Sequence, residues 1–394
     1  MPIASGVAGS RSLLRRINSL ALLRELRHGP ATITRLVHSA GLSRTATEAV
    51  LTDLQDLGWV NAVAPEERGD RPAMGRPAAS YTFAADAGRM LSIDIGAHHI
   101  HAILTDLLGT PLAGQNLSVR ESAPADERLR AVRTVAGAVL GAAGVGAQEL
   151  WAVALGSPGV ISEGTVRHFG GSGMPGWIGQ DLAAGFADDF ACPILVEGDC
   201  ALGTIAEHRL GAAQGVRDMV YVLCGNRTGA GIVVNGELFR GHRGGTGLIG
   251  ELPQLRWREL ETDYPGSPAA GGQSTRLEMF NAARGGDPAA LASVSSFAEA
   301  LSLGIAAMTL AVDPELVVLG GGSSHSADLY VDLVQEHLSR LCPLVPRLTV
   351  SALGADAVAL GGIQIAWNHI DARLAHLVEQ GDAFPQAGAA FMAR

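Results

Sequence analysis

The sequence predicts a large α/β body preceded by a small α+β head, and three observations predict it. Charge is unevenly divided: residues 1–90 carry 11 Arg against 8 Asp and Glu, a balance of +3, whereas residues 91–394 carry 18 against 31, a balance of −13. Hydrophobic spacing also changes, from a helical period in the head to short β-runs with glycine turns, alternating with helices, from about residue 87. The chain has 394 residues, 47% of them apolar, and so can bury more than one core. The expected division is a head at 1–86, a smaller lobe at 87–201, a larger lobe at 202–362, and a C-terminal helix in 363–394 that joins the smaller lobe.

Residues 12–57 read as three helices. Leu13, Ile17, Leu20, Ala21 and Leu23 recur at helical spacing until Gly29-Pro30 breaks the pattern. Thr32 is placed to cap a second helix with Ile33, Leu36, Val37 and Ala40 inward. After the turn Gly41-Leu42, Ser43 caps a third, with Ala46, Val50, Leu54 and Leu57 inward. Two short helices joined by a glycine turn describe a helix-turn-helix, whose second helix enters the major groove of DNA. The residues expected to face double-stranded operator DNA are Arg35, Ser43, Arg44, Thr45, Thr47 and Glu48. Trp59–Val63 and Tyr81–Phe83 read as the arms of a hairpin wing whose Gly75 and Arg76 reach phosphate or the minor groove. A plain three-helix interaction bundle is the alternative.

Composition excludes several chemistries. The sequence contains no lysine, so no P-loop lysine, Schiff-base lysine or lysine general base exists. Cys192, Cys200, Cys224 and Cys342 form no C-x-x-C pair. The most continuous apolar stretch noted is Val135–Ala147, too short for a membrane span, and the N-terminus lacks the pattern of a signal peptide, which reads as a cytoplasmic protein. His98, His99 and His101 alternate in direction along a strand, which favours packing or solvent over metal.

In the body, Met90–Gly96 and Ile100–Asp106 form a β-hairpin around Asp94-Ile-Gly96. Further on come Gly156-Ser-Pro-Gly159, Pro175-Gly-Trp177, Val196-Glu-Gly-Asp199, the run Gly225–Gly236, and Asp313–Gly322. In this order and spacing, together with Gly75-Arg-Pro-Ala78 in the head, they resemble the ROK family of repressors, open reading frames and kinases, and within it the regulators with an N-terminal winged helix. The resemblance spans residues 12 to 370. It implies an actin/hexokinase-like body of two lobes with a sugar cleft between them, and a repressor or activator that binds DNA as a homodimer or tetramer.

Carried over position by position, the resemblance puts Asp199 where the family's kinases keep the aspartate base. Gly159, Trp177, Glu197, Asp199 and Glu251 fall at effector positions, and Asp94, Gly96, Arg227, Gly229 and Gly321 in a vestigial nucleotide site. The departures are specific. Gly198 replaces an asparagine that contacts sugar, Leu248 a glutamate that does so, and Glu251 a histidine that ligates zinc; residues 261–272 lack the expected cysteine cluster. Asp94-Ile-Gly96-Ala-His-His99 stands where kinases have D-I-G-G-T-K, and Arg227 replaces a glycine of the second phosphate loop. These losses imply no zinc, no ATP binding and no catalysis. Three functions are therefore expectations: a sugar-responsive DNA-binding regulator, an active sugar kinase with an accessory head, or a DNA-binding protein whose body binds no ligand.

Overall fold

The structure, a computed structural model, describes residues 4–63, 79–170, 173–225, 227–258, 276–381 and 383–392. The head begins with α1 (Ala4–Arg27), followed by β1 (Ala31–Thr32), α2 (Ile33–Ala40) and α3 (Arg44–Asp56). Both expected caps are present: Thr32 Oγ1 accepts from the Arg35 amide and Ser43 Oγ from the Ala46 amide. Gly41 closes α2 in the left-handed conformation, φ 65°. The arms β2 (Val60–Val63) and β3 (Ser80–Phe83) pair antiparallel, and β1 adds a third strand on the far side of β3. The expected tip, with Gly75 and Arg76, lies outside the described residues.

Helix α3 is turned one position from expectation. Its buried stripe is Thr47, Val50, Leu51 and Leu54, whereas Ala46 and Leu57 are only partly covered. A threonine takes an inward place because its Oγ1 donates to the Ser43 carbonyl at 3.1 Å, so no polar group is stranded. In α1, Ile17 and Ala21 are exposed, and Leu20, Leu22, Leu23 and Leu26 carry the packing.

The body contains one strand plan twice. The first sheet has β4 (Arg89–Ile95), β5 (His99–Asp106) and β6 (Pro111–Ser118) antiparallel, with β7 (Leu150–Ser157) parallel beside β4 and β10 (Ile194–Gly198) parallel beside β7. The second repeats this with β11 (Met219–Cys224), β12 (Thr228–Val234), β13 (Glu237–Leu238), β14 (Leu316–Gly320) and β15 (Arg347–Val350). Central strands β7 and β14 are buried along their whole length, as covered parallel strands require. A small hairpin, β8 (Val160–Ser162) and β9 (Thr165–His168), follows β7.

The helices of the body are α4 (Ala125–Ala143), α5 (Leu182–Gly185), α6 (Asp199–Arg209), α7 (Arg276–Arg284), α8 (Pro288–Val312), α9 (Val331–Leu341) and α10 (Ala357–Gln380). Among the described residues one helix, α8, is long and apolar enough to cross a membrane, with mean hydropathy 1.5, and 61% of that window is buried.

Helix α10 packs on α6, β4 and β7 at one end and on α1 at the other. Gly361 and Gly362 make the first contact possible, since a Cβ on them would meet the Leu202 carbonyl and Ser92 Oγ at 2.0 Å. Its inward stripe is Ile363, Ala366, Trp367, Ile370, Leu374 and Val378, with the expected Ile365 and Leu377 only partly covered.

One apolar cluster runs unbroken from the head into the body. It joins Leu22, Leu36, Leu54 and Phe83 of the head to Met90, Leu107 and Trp151 of the first sheet, to α10, and to Phe384 and Met392 of the tail. At its centre Trp59 meets Trp151 edge-on at 5.5 Å and Phe384 at 6.1 Å, and its Nε1 donates to the Pro385 carbonyl at 2.7 Å. Arginines pin the rim: Arg24 forms a two-pronged pair with Asp371 at 2.8 and 2.9 Å, Arg16 donates to the Val378 carbonyl, and Arg27 lies over Trp367 at 3.6 Å. Trp59→Ala opens a cavity in this shared core and is expected to cost about 3–5 kcal/mol. Urea unfolding followed by far-UV circular dichroism checks it; a loss below about 1 kcal/mol would mean that the head is not anchored through this residue.

Candidate functional site

In an open α/β sheet the groups that can meet a ligand collect beyond the carboxyl ends of the strands. Here the segments after β7, β10 and β11 face one cleft between the two sheets. Pro158 and Gly159 line it from the first, Gly198, Asp199 and Cys200 from the second, and Arg227 to Gly231 from the opposite side. Glu197, Arg240, Leu248, Glu251, Trp257 and Arg258 complete much of the wall.

Asp199 opens α6, and its Oδ1 accepts from the Cys200 amide at 2.7 Å. Burial, and then the neighbouring charge of Asp94, raise its carboxyl to about 7. Asp94 itself is buried and does not line the cleft. Its Oδ2 is held by His99 Nε2 at 2.9 Å. The imidazole packs so closely on the turn that a Cβ on Gly96 would stand 2.5 Å from it. Burial lowers the His99 pKa, but the hydrogen bond to Asp94 and the charges of Asp94 and Asp199 outweigh it, and the net shift is upward. Beneath the turn, fully buried Arg128 donates to the Gly96 carbonyl at 2.6 Å.

Among the described residues, ion pairs join the two sides of the cleft. Arg227, in the turn between β11 and β12, meets Glu121 of the β6–α4 loop at 3.0 Å and lies over the Phe169 ring at 4.3 Å. Arg240, after β13, meets Glu197 at the end of β10 at 2.7 Å. Glu251 sits between His168, 3.4 Å away, and Arg258.

Of the expected effector residues, Gly159, Glu197, Asp199 and Glu251 come together in this cleft. Trp177 does not. It is 1% exposed in the core of the first sheet, where its Nε1 donates to Ser157 Oγ at 3.0 Å. Of the expected nucleotide residues, Arg227 and Gly229 line the cleft, while Asp94, Gly96 and Gly321 lie outside its lining. Among the described residues no group of three or more His, Cys, Asp or Glu is arranged to hold a metal. Residues 261–272, where the cysteine cluster is missing, lie outside the described residues. Sequence reading did not single out Glu121, Arg128, Arg240 or Arg258: the first three act on partners distant in the chain, Arg258 on Glu251 only seven residues earlier, and none sits in a local motif.

The model of the family described as ROK matches residues 90–256 and 254–369, most of the chain. The chain belongs to the ROK family.

Among ROK relatives, a xylose repressor from Bacillus spizizenii is 22% identical over 396 residues, covering 91% of this chain and 97% of that protein. The bifunctional enzyme NanE/NanK of Brucella melitensis is 33% identical over 184 residues, or 44% of this chain, and the match spans only 35% of that enzyme's length. The fold is shared with a ROK family transcriptional regulator described as a homolog of the E. coli MLC protein, at TM-score 0.67 and 18% identity, covering 94% of this chain and 100% of that one. It is shared also with a ROK hexokinase from Thermus thermophilus, at TM-score 0.55 and 26% identity, covering 72% and 99%.

The raised carboxyl of Asp199 has a sign in stability. An acid near ~3.9 in the unfolded chain and about 7 in the fold favours folding while protonated, and that contribution is lost as pH rises from 4 through 7. Asparagine cannot ionise, so Asp199→Asn is expected to gain on the wild type with rising pH, by roughly 1–3 kcal/mol between pH 5 and 8. Parallel urea titrations at the two pH values check it, and an unchanged gap refutes the shift.

Proposed function

We propose that the chain is a DNA-binding transcriptional regulator whose cleft binds a sugar or a related small metabolite. The observation that carries this reading is the end-to-end match to a xylose repressor, which takes in the head as well as the body. The head supports it independently: α2, a glycine turn and α3, backed by a three-stranded sheet, have the form of a winged helix-turn-helix.

The exposed face of α3 offers Ser43, Arg44, Thr45 and Glu48, and α2 adds Arg35. Thr47 leaves the set of DNA contacts because it is fully buried. Thr34, His38 and Thr52 are also exposed on these helices and join the same surface. Arg44 and Glu48 pair at 2.9 Å, so groove binding exchanges that exposed ion pair for contacts to base or phosphate.

Ligand reaches the head through α10. Binding between the sheets favours one setting of α6 against β7, and α10 lies on both elements while its other end is locked into the head. A ligand that prefers one setting shifts the population of head positions, and so the spacing of two heads on a palindromic operator in a homodimer or tetramer.

The second reading, an active sugar kinase, has one observation in its favour: a carboxyl at about 7 suits a general base. Against it, Asp94 is capped by His99, and Arg227 fills the turn that the resemblance assigns to phosphate. Duplex binding that survives competitor DNA, falls with salt, and weakens about tenfold or more in Arg44→Ala is the expected result, measured by fluorescence anisotropy. Equal binding to any sequence removes the regulator reading. ATP consumption with a hexose, abolished in Asp199→Asn, establishes the kinase instead.

A further inference from the structure

Accepting the ligand-binding role just given to the cleft, its wall says what kind of ligand fits. Arg227, Arg240 and Arg258 all line it, and among the described lining residues there is no Asn, Gln, Ser or His. A neutral sugar hydroxyl donates as well as accepts, and sites for such ligands supply acceptors to match. The glutamates of the lining are engaged, Glu197 by Arg240 and Glu251 by Arg258, and Arg227 is held by Glu121 from outside the lining. Leu248 stands where the family resemblance calls for a further carboxylate.

Donors, by contrast, converge. The Thr228 hydroxyl is buried in the wall with no hydrogen-bond partner. The Asp199 carboxyl, held up at about 7, carries its proton in a large fraction of molecules at neutral pH. The arginines add fixed positive charge in planar forks suited to carboxylate or phosphate. Arg240 and Arg258 are half-exposed, at 50% and 51%, so their present glutamate partners are held weakly and an incoming anion can replace them.

We infer that the ligand of this cleft is anionic, a sugar phosphate or a sugar acid, whose phosphate or carboxylate takes Arg240 and Arg258 from Glu197 and Glu251. The exchange keeps each guanidinium paired throughout. It also frees Glu197, which now ties β10 to the segment after β13, so arrival of the anion unfastens one link across the cleft.

The test uses matched ligands on the full chain by isothermal titration calorimetry: glucose against glucose 6-phosphate and glucuronate, with inorganic phosphate as a probe of the anion position alone. At least one anionic sugar is expected to bind about tenfold or more tightly than glucose, the value of one charge-assisted hydrogen-bond set. That preference is expected to fall to near parity in Arg240→Gln/Arg258→Gln, whose altered side chains are half-exposed and leave the cores untouched. Phosphate competition without glucuronate binding identifies a sugar phosphate, and glucuronate binding without phosphate competition a sugar acid; both support the inference. Glucose binding as tightly as its anionic partners, a preference unchanged in the double variant, or no binding by any member of the panel overturns it. Operator binding measured on the same preparation separates the two readings, since its loss removes the regulator role and leaves the ligand preference standing.

Discussion

Helix α10 packs on the body at one end and on the head at the other, and the architecture depends on that constraint. Its first turns lie against α6 and the central strands of the first sheet, at a distance that only Gly361 and Gly362 permit. Its later turns supply Trp367, Ile370 and Leu374 to the cluster that contains the head. A helix is stiff along its axis, so a shift at one end is transmitted to the other without loss in a flexible joint. The head therefore shares one hydrophobic cluster with Met90, Leu107 and Trp151 of the first sheet, and the chain is packed on both sides of residue 86.

The charge pattern acquires a different meaning in three dimensions. The arginine-rich stretch 11–44 suggests a polyanion-binding surface, yet Arg15 pairs with Asp53 at 2.5 Å, Arg24 with Asp371, Arg16 donates to a carbonyl of α10, and Arg27 is stacked on Trp367. These four tie the head together or tie it to the body. Arg35 and Arg44 stay at the surface, each beside a glutamate. With no lysine in the chain, the planar guanidinium serves as both clamp and contact, and composition cannot separate the two uses.

Local features were the legible ones. The caps Thr32 and Ser43, the turn at Gly41, the wing arms and the strand around Asp94 follow from interactions within a few residues, which sequence displays directly. Features set by a side-chain hydrogen bond or by a distant partner were not. Thr47 points inward because its hydroxyl finds the Ser43 carbonyl while Val50 and Leu51 fix the stripe, and a count of apolar positions does not include that bond. Trp177 follows a Pro-Gly turn that suggests a cleft wall, but Ser157, twenty residues earlier, satisfies its ring nitrogen within the core. At the candidate site, Asp199, Glu197 and Glu251 were readable from motif positions. Glu121 and Arg227 are 106 residues apart, and only the facing of two sheets makes them neighbours. The doubling of the strand plan was equally hidden, since two unlike sequences satisfy the same pairing.

The bond from Trp59 to the Pro385 carbonyl joins residues 326 apart in the chain. The head is synthesised before the body, but its core lacks Phe384 and Met392 until the body has been made. Contacts of such sequence separation form late and slowly. The nascent head thus waits with Trp59 and its apolar neighbours uncovered for the time needed to make the whole body. Apolar surface left uncovered in this way is prone to aggregation. A variant that slows folding of the body would then harm the head first, by leaving it open to aggregation or proteolysis before its last wall arrives.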